Sequence, residues 1–200
     1  MPRLFVAVGL PESARDRLAD LSTGLPGADW VESEQYHLTM RFIGEVDAPA
    51  FHSVRDGLAA VSTRSFHFDL RGVGVFPLRG SPETLWAGVP RCNGLMTLRH
   101  KVESALGRRG IPAEKRKFFP HVTLARLHNA EDEWVGRYVT AHSLLSIPGI
   151  PVQAFHLYSS KLTPHGAVHT LEETYPLEGI LDMEGQDEEE AENGFGAAEP

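Results

Sequence analysis

Cysteine is almost absent from this chain. Cys92 stands alone in 200 residues, so no internal disulfide can form and no thiolate set exists for a Cys-based zinc site. Long apolar runs are missing too. The N-terminal stretch Leu4 to Leu10 follows Arg3 directly and stops at Pro11-Glu12, too short for a signal-peptide core with its cleavage site and far too short to span a bilayer. The expectation is a cytoplasmic protein with no membrane partner. There is no excess of positive charge either. The formal net charge is -8, and with the eight acids of Leu181 to Pro200 set aside, 19 Asp+Glu face 19 Lys+Arg. A neutral body argues against tight, nonspecific binding to long nucleic acid.

The acidic run Asp187-Glu188-Glu189-Glu190 lies among Gly, Ala and Gln, which cannot bury enough apolar surface to offset the entropy of ordering. Residues 181–200 therefore read as an acidic disordered tail.

Two tetrapeptides carry the positive information: His37-Leu38-Thr39-Met40 and His121-Val122-Thr123-Leu124. Apolar and polar residues alternate at period two, and β-formers dominate, so each reads as a strand. Side chains two apart on a strand share a face. Leu38, Met40, Val122 and Leu124 are thus expected in a core, and each His-Thr pair on the opposite side. One such motif alone would be an ordinary strand, but two at equivalent points of a duplicated unit point to a shared polar ligand.

The duplication shows in the order of elements. The first passage predicts a strand 3–10, a helix 12–22, the motif strand 36–43, a helix 49–61 and a strand 65–75. The second predicts a strand 84–89, a helix 94–106, the motif strand 121–127, a helix 131–141 and a strand 152–162, after a Pro-rich link at Pro148-Gly149-Ile150-Pro151; a strand around 167–174 follows. The order is the same, although no direct sequence identity reveals it. Such a chain predicts an α+β fold: two pseudo-symmetric lobes of antiparallel sheet with outer helices around a central cleft. The lobes fall at roughly 3–75 and 84–177, within a single bilobal domain spanning 1–180. A monomer is expected.

Other histidines take the ordinary reading. His165 and His169 have the spacing of helical metal ligands, but Gly166 and a β pattern surround them and no third ligand is evident. Trp86, on an apolar strand, reads as core.

The paired H-x-T-apolar motifs resemble those of the two-histidine (2H) phosphoesterase superfamily, and within it the RNA 2′,3′-cyclic phosphodiesterase (2′,5′ RNA ligase) family. The resemblance covers most of residues 3–177. It includes Arg3-Leu4-Phe5-Val6-Ala7-Val8, Trp30-Val31, His37 through Val46, Gly74-Val75-Phe76-Pro77, Leu85-Trp86-Ala87-Gly88-Val89, Phe119 through Arg126, and Leu157-Tyr158-Ser159-Ser160. His169 departs from it, since relatives often carry tyrosine in that stretch. The resemblance implies a substrate of RNA ends or nucleotides bearing a 2′,3′-cyclic phosphate, opened to a 2′-phosphate. It also implies His37 as proton donor, His121 as proton acceptor, and Arg126 as the phosphate-side arginine.

The residues suit that chemistry. Opening a cyclic phosphodiester needs a base for the incoming water and an acid for the departing ribose oxygen, and two imidazoles serve both near neutral pH. Near-symmetry of the motifs leaves the two roles interchangeable on sequence alone. Thr39 and Thr123 offer hydroxyls to the non-bridging phosphate oxygens. No metal or other cofactor is required. Strict alternation puts Arg126 on the face opposite His121, so its use requires twist or a bulge at the strand end. Arg41 has the correct parity for the cleft rim. Lys115, with Arg116 and Lys117, could steer phosphates, and Tyr36 or Phe119 could stack a base. Joining a cyclic phosphate end to a 5′-hydroxyl in the same site is a side activity on this reading, because water competes. A nucleotide-binding module without catalysis is the alternative of a different class.

Overall fold

The computed structural model describes residues 2–77, 81–163 and 166–179; the tail expected at 181–200, and His165, lie outside them. The described elements are β1 (Arg3–Gly9), α1 (Glu12–Ala19), β2 (Ala28–Trp30), β3 (His37–Glu45), α2 (Ala48–Ala59), β4 (Phe66–Arg71), β5 (Val73–Phe76), β6 (Thr84–Gly88), α3 (Asn93–Arg108), β7 (His121–Leu127), α4 (Asp132–Ala141), β8 (Ser146–Val152), β9 (Ala154–Thr163) and β10 (Gly166–Pro176). The alternation of strands and helices expected from the sequence is present. Among the described residues no helix is long and apolar enough to cross a membrane.

The strands form an antiparallel sheet in the order β10-β9-β1-β3-β7-β6-β5, with β2 added on β7, and a separate pair β4-β8. The two motif strands are the middle of the large sheet. They pair antiparallel through Leu38 opposite Val122, and this seam divides the sheet into two lobes.

Sequence period sets which face is buried. Leu4, Val6, Val8, Leu38, Met40, Leu85, Val122 and Leu124 are all 1% exposed or less, and share one core with Leu18 of α1, Val54 and Leu58 of α2, Leu95, Leu98 and Val102 of α3, and Val135 of α4. Each helix contributes an apolar stripe at helical spacing. Helix α2 starts where Asp47 accepts a hydrogen bond from the Ala50 amide, with Pro49 in its first turn, the arrangement that satisfies free amides at a helix start.

Several expectations need correction. The stretch 65–75 is two strands, because Gly72 at φ +66° turns the chain and sends β4 to the small sheet and β5 to the large one. A left-handed turn of this kind favours glycine. The Pro-rich segment 148–151 lies within β8, which pairs with β4; a two-stranded sheet has only edges, where proline is tolerated. The lobes are not the contiguous halves 3–75 and 84–177. Strand β5, from the first half, adds to β6, and β9 from the second half adds to β1, so each lobe takes strands from both halves. Helix α1 also stops at Ala19 rather than running to residue 22.

Candidate active site

Antiparallel pairing about Leu38 and Val122 sets His37 across the seam from Thr123, and Thr39 across from His121. Because Leu38 and Val122 point into the core, all four polar side chains belong to the opposite face of the sheet. The two copies agree in their second contacts. His37 Nδ1 lies 2.7 Å from the Gln35 carbonyl oxygen, and His121 Nδ1 lies 2.7 Å from that of Phe119. A carbonyl only accepts, so each Nδ1 carries the proton and donates it, leaving Nε2 for the cleft.

Both imidazoles are held below their ordinary pKa. Burial is the main cause at His37, brought down to about 4, with His169 and His121 adding positive charge nearby and the bond to Gln35 opposing. At His121 burial again leads, the bond to Phe119 opposes, and the Arg126 guanidinium lowers it further.

Arg126 reaches this face through a bulge. β6 and β7 pair Leu85 with Ala125 but Trp86 with Thr123, so Leu124 is an extra residue and the alternation flips after it. Arg126 donates to Thr84 Oγ1 at 2.8 Å, on the side of Trp86 and His121. β3 bulges at the matching place, pairing Val6 with Arg41 but Ala7 with Thr39. That bulge overturns the expectation for Arg41. The guanidinium is 4% exposed and points away from the cleft, where it pairs with Glu103 at 2.9 Å and Glu114 at 3.5 Å and donates to the carbonyls of Phe42 and Pro112.

Tyr36 also leaves the candidate list. It is 3% exposed, and its hydroxyl is hydrogen-bonded to Ser22 at 3.0 Å. Its backbone precedes the strand, where the period-two face argument does not apply. Phe119 is half exposed beside His121, with ring centroids 6.4 Å apart, and Lys115 sits on the exposed loop before β7.

Of the aromatic walls around the imidazoles, sequence reasoning offers only Phe119. Phe76 meets His121 edge-on at 5.1 Å, and Trp86 packs on Phe76 and Phe119, each at 5.2 Å. Trp86 is thus half-buried in the cleft wall, not core. Its indole lies over Gly74, where a Cβ would come within 2.3 Å of the ring, so glycine there makes the space. On the other side, Phe5 contacts His37 at 5.1 Å, Tyr158 at 5.3 Å and His169 at 4.9 Å. Parity was the available signal: Trp86 lies two residues from Thr84, and Phe5 two from Ala7, on the face opposite the core. Among the described residues no three His, Cys, Asp or Glu side chains cluster as metal ligands.

The chain is similar to known proteins in sequence and in fold. The family model described as LigT-like phosphoesterase matches residues 8–86 and 88–169. The RNA 2′,3′-cyclic phosphodiesterase of Aeropyrum pernix is 35% identical over 81% of this chain and 92% of its own length. That of Thermotoga maritima is 31% identical over 90% and 97%. Among solved structures, TT0787 of Thermus thermophilus superposes with a TM-score of 0.71 at 30% identity, covering 88% of this chain and 98% of that one. E. coli LigT in complex with 3′-AMP gives 0.70 at 25% identity, covering 90% and 100%.

Proposed function

Since the chain belongs to the LigT-like phosphoesterase family, we propose that it is an RNA 2′,3′-cyclic phosphodiesterase, a hydrolase that opens 2′,3′-cyclic phosphate ends to 2′-phosphates by metal-independent acid-base catalysis. The observation that carries this reading is the duplicated imidazole geometry, in which each Nδ1 is engaged by a carbonyl two residues earlier and each Nε2 is left for the substrate.

The cyclic phosphate sits between the motifs. His121 Nε2 takes a proton from water as its oxygen bonds to phosphorus, and the P–O3′ bond breaks. His37 Nε2 gives its proton to the departing O3′. Nucleophile and leaving group lie roughly in line, as transfer at phosphorus requires. Thr39 and Thr123 donate to the non-bridging oxygens, and Arg126 adds positive charge there. Burial keeps His37 neutral in the free enzyme near pH 7, and the negative charge of the bound substrate favours the imidazolium that the donor role requires. The enzyme acts as a monomer in the cytoplasm on this reading.

The test is incubation with a nucleoside 2′,3′-cyclic phosphate in the presence of a chelator, with the phosphate position in the product identified by NMR. A 2′-phosphate is expected, and His37→Ala and His121→Ala should each lower turnover by roughly 10²- to 10⁴-fold with the fold intact. No turnover by the wild-type protein, or full turnover by either variant, would refute the reading.

A further inference from the structure

Helices α2 and α3 pack on the core face of the sheet, and the groove between them, on the side away from the cleft, is cationic. It encloses about 320 Å³ and is lined by Val61, Ser62, His100, Lys101, Ser104 and Arg108 together with Ala60. Thr97, His100, Lys101, Ser104 and Arg108 recur at helical spacing and form one outward stripe of α3. His100, Lys101 and Arg108 are exposed, and no lining residue is acidic. The one acid of α3, Glu103, faces elsewhere, toward Arg41 and Arg99. The stripe keeps its positive charge.

Gly179, the last of the described residues, is pinned beside this groove. Lys101 Nζ donates to the Ser62 carbonyl at 2.6 Å, and the Ser62 hydroxyl donates to the Glu178 carboxylate. The Glu178 backbone accepts from the Ser65 amide and donates to the Thr63 carbonyl, each at 2.8 Å, while Ser65 Oγ donates to the Gly179 carbonyl at 3.0 Å. Lys101 and Glu178 thus share Ser62, and an ammonium with three protons has two left for other acceptors. Residues 180–200 follow, with Asp182, Glu184, the run Asp187-Glu188-Glu189-Glu190, Glu192 and Glu199, and no base. The chain from Gly179 to Asp187 spans up to about 29 Å when extended, whereas α3 from His100 to Arg108 is only about 12 Å long. Every cation of the groove is within reach of the acidic run. So short a tether gives an effective concentration in the millimolar range, at which exposed pairs that are individually weak act together.

We propose that the groove between α2 and α3 is the docking site of the chain's own acidic segment 182–192, with the carboxylates of Asp187 to Glu190 pairing with Lys101 and Arg108. Docking there masks cations on the helix side and leaves the cleft open. The contact is electrostatic and salt-sensitive, and it stands independently of the phosphodiesterase reading.

The experiment is zero-length cross-linking of the full chain with a carbodiimide, mapped by mass spectrometry over its four lysines, Lys101, Lys115, Lys117 and Lys161. At about 10 mM salt, where the Debye length is roughly 30 Å, carboxylates of 182–192 should join Lys101 at least about fivefold more than any other lysine. At about 1 M salt, where that length is roughly 3 Å, the yield should fall about tenfold. A quadruple variant, Asp187→Asn with Glu188→Gln, Glu189→Gln and Glu190→Gln, alters no residue of the groove. Its amide NMR signals at Ser62, Lys101, Ser104 and Arg108 should differ from those of the wild type at low salt and coincide with them at high salt. Cross-links spread evenly over the four lysines, or centred on Lys115 and Lys117, would overturn the docking site, as would groove signals identical in the two proteins at low salt. A cross-linked product with the mass of a dimer would give the groove to the tail of a second copy and overturn the intramolecular contact.

Discussion

His169 meets His37 edge-on, with ring centroids 5.3 Å apart and planes at 85°. Strand β10 lies two strands outside β1, yet the His169 side chain reaches over Phe5 to do so. Its Nδ1 is buried and has no hydrogen-bond partner among the described residues.

This contact adds to burial in holding the His37 pKa down. Replacement by phenylalanine keeps a flat ring against Phe5 and removes the second titrating group. His169→Phe should move the His37 midpoint upward from about 4, as read from the imidazole proton shifts in an NMR titration. A midpoint that stays in place or falls would remove His169 from the electrostatics of the site.

Stability should fall with acid over a defined window. His37 has a folded-state pKa of about 4 against an ordinary 6.5, so between these values the unfolded chain binds the extra proton and unfolding is favoured. Neutral burial is fully stable above about pH 6.5, and its advantage is lost as pH falls toward 4, at a cost on the order of 3 kcal/mol. His121 is shifted in the same direction. Urea unfolding at closely spaced pH values measures this, and His37→Gln should flatten the dependence. A wild-type profile without slope across that interval would contradict the burial assigned to these rings.

The threonine hydroxyls should matter to turnover more than to binding. If Thr39 and Thr123 donate to the phosphate as its charge develops, Thr→Val at either position should lower kcat by about 10- to 10³-fold, the range of one oxyanion donor, with a smaller change in affinity for a product analogue. Steady-state kinetics and calorimetry decide it. Unchanged kcat in both variants would leave the threonines as strand residues.

Arg41 should behave as a structural group. Its guanidinium is buried between Glu103 and Glu114, so Arg41→Met leaves Glu103 only Arg99 and Glu114 only Arg116 and should cost about 3 kcal/mol of stability, the lower end for a broken buried pair. Denaturant unfolding reads this directly. A loss under about 1 kcal/mol, the range of a solvent-exposed pair, would mean that the cluster relaxes into solvent when its centre is removed.

Much of this protein was legible in its sequence. The motifs His37-Leu38-Thr39 and His121-Val122-Thr123 declared both the strands and their faces, because alternation at period two is imposed by the pleat itself and holds wherever one face is buried. The helices were equally clear, since stripes such as Leu95, Leu98 and Val102 admit only one period. Sequence could not tell where alternation breaks. Arg41 and Arg126 occupy strand positions of opposite parity, and strict alternation assigned each to the wrong side until a bulge was allowed. A bulge is decided by how two strands pair, as Val6 with Arg41 and Leu85 with Ala125, and pairing is a property of the neighbours. The exchange of β5 and β9 between lobes, the turn at Gly72, and the meeting of His169 with His37 are of the same kind. Each depends on contacts between segments distant in the chain, whose energies are not written in any local pattern.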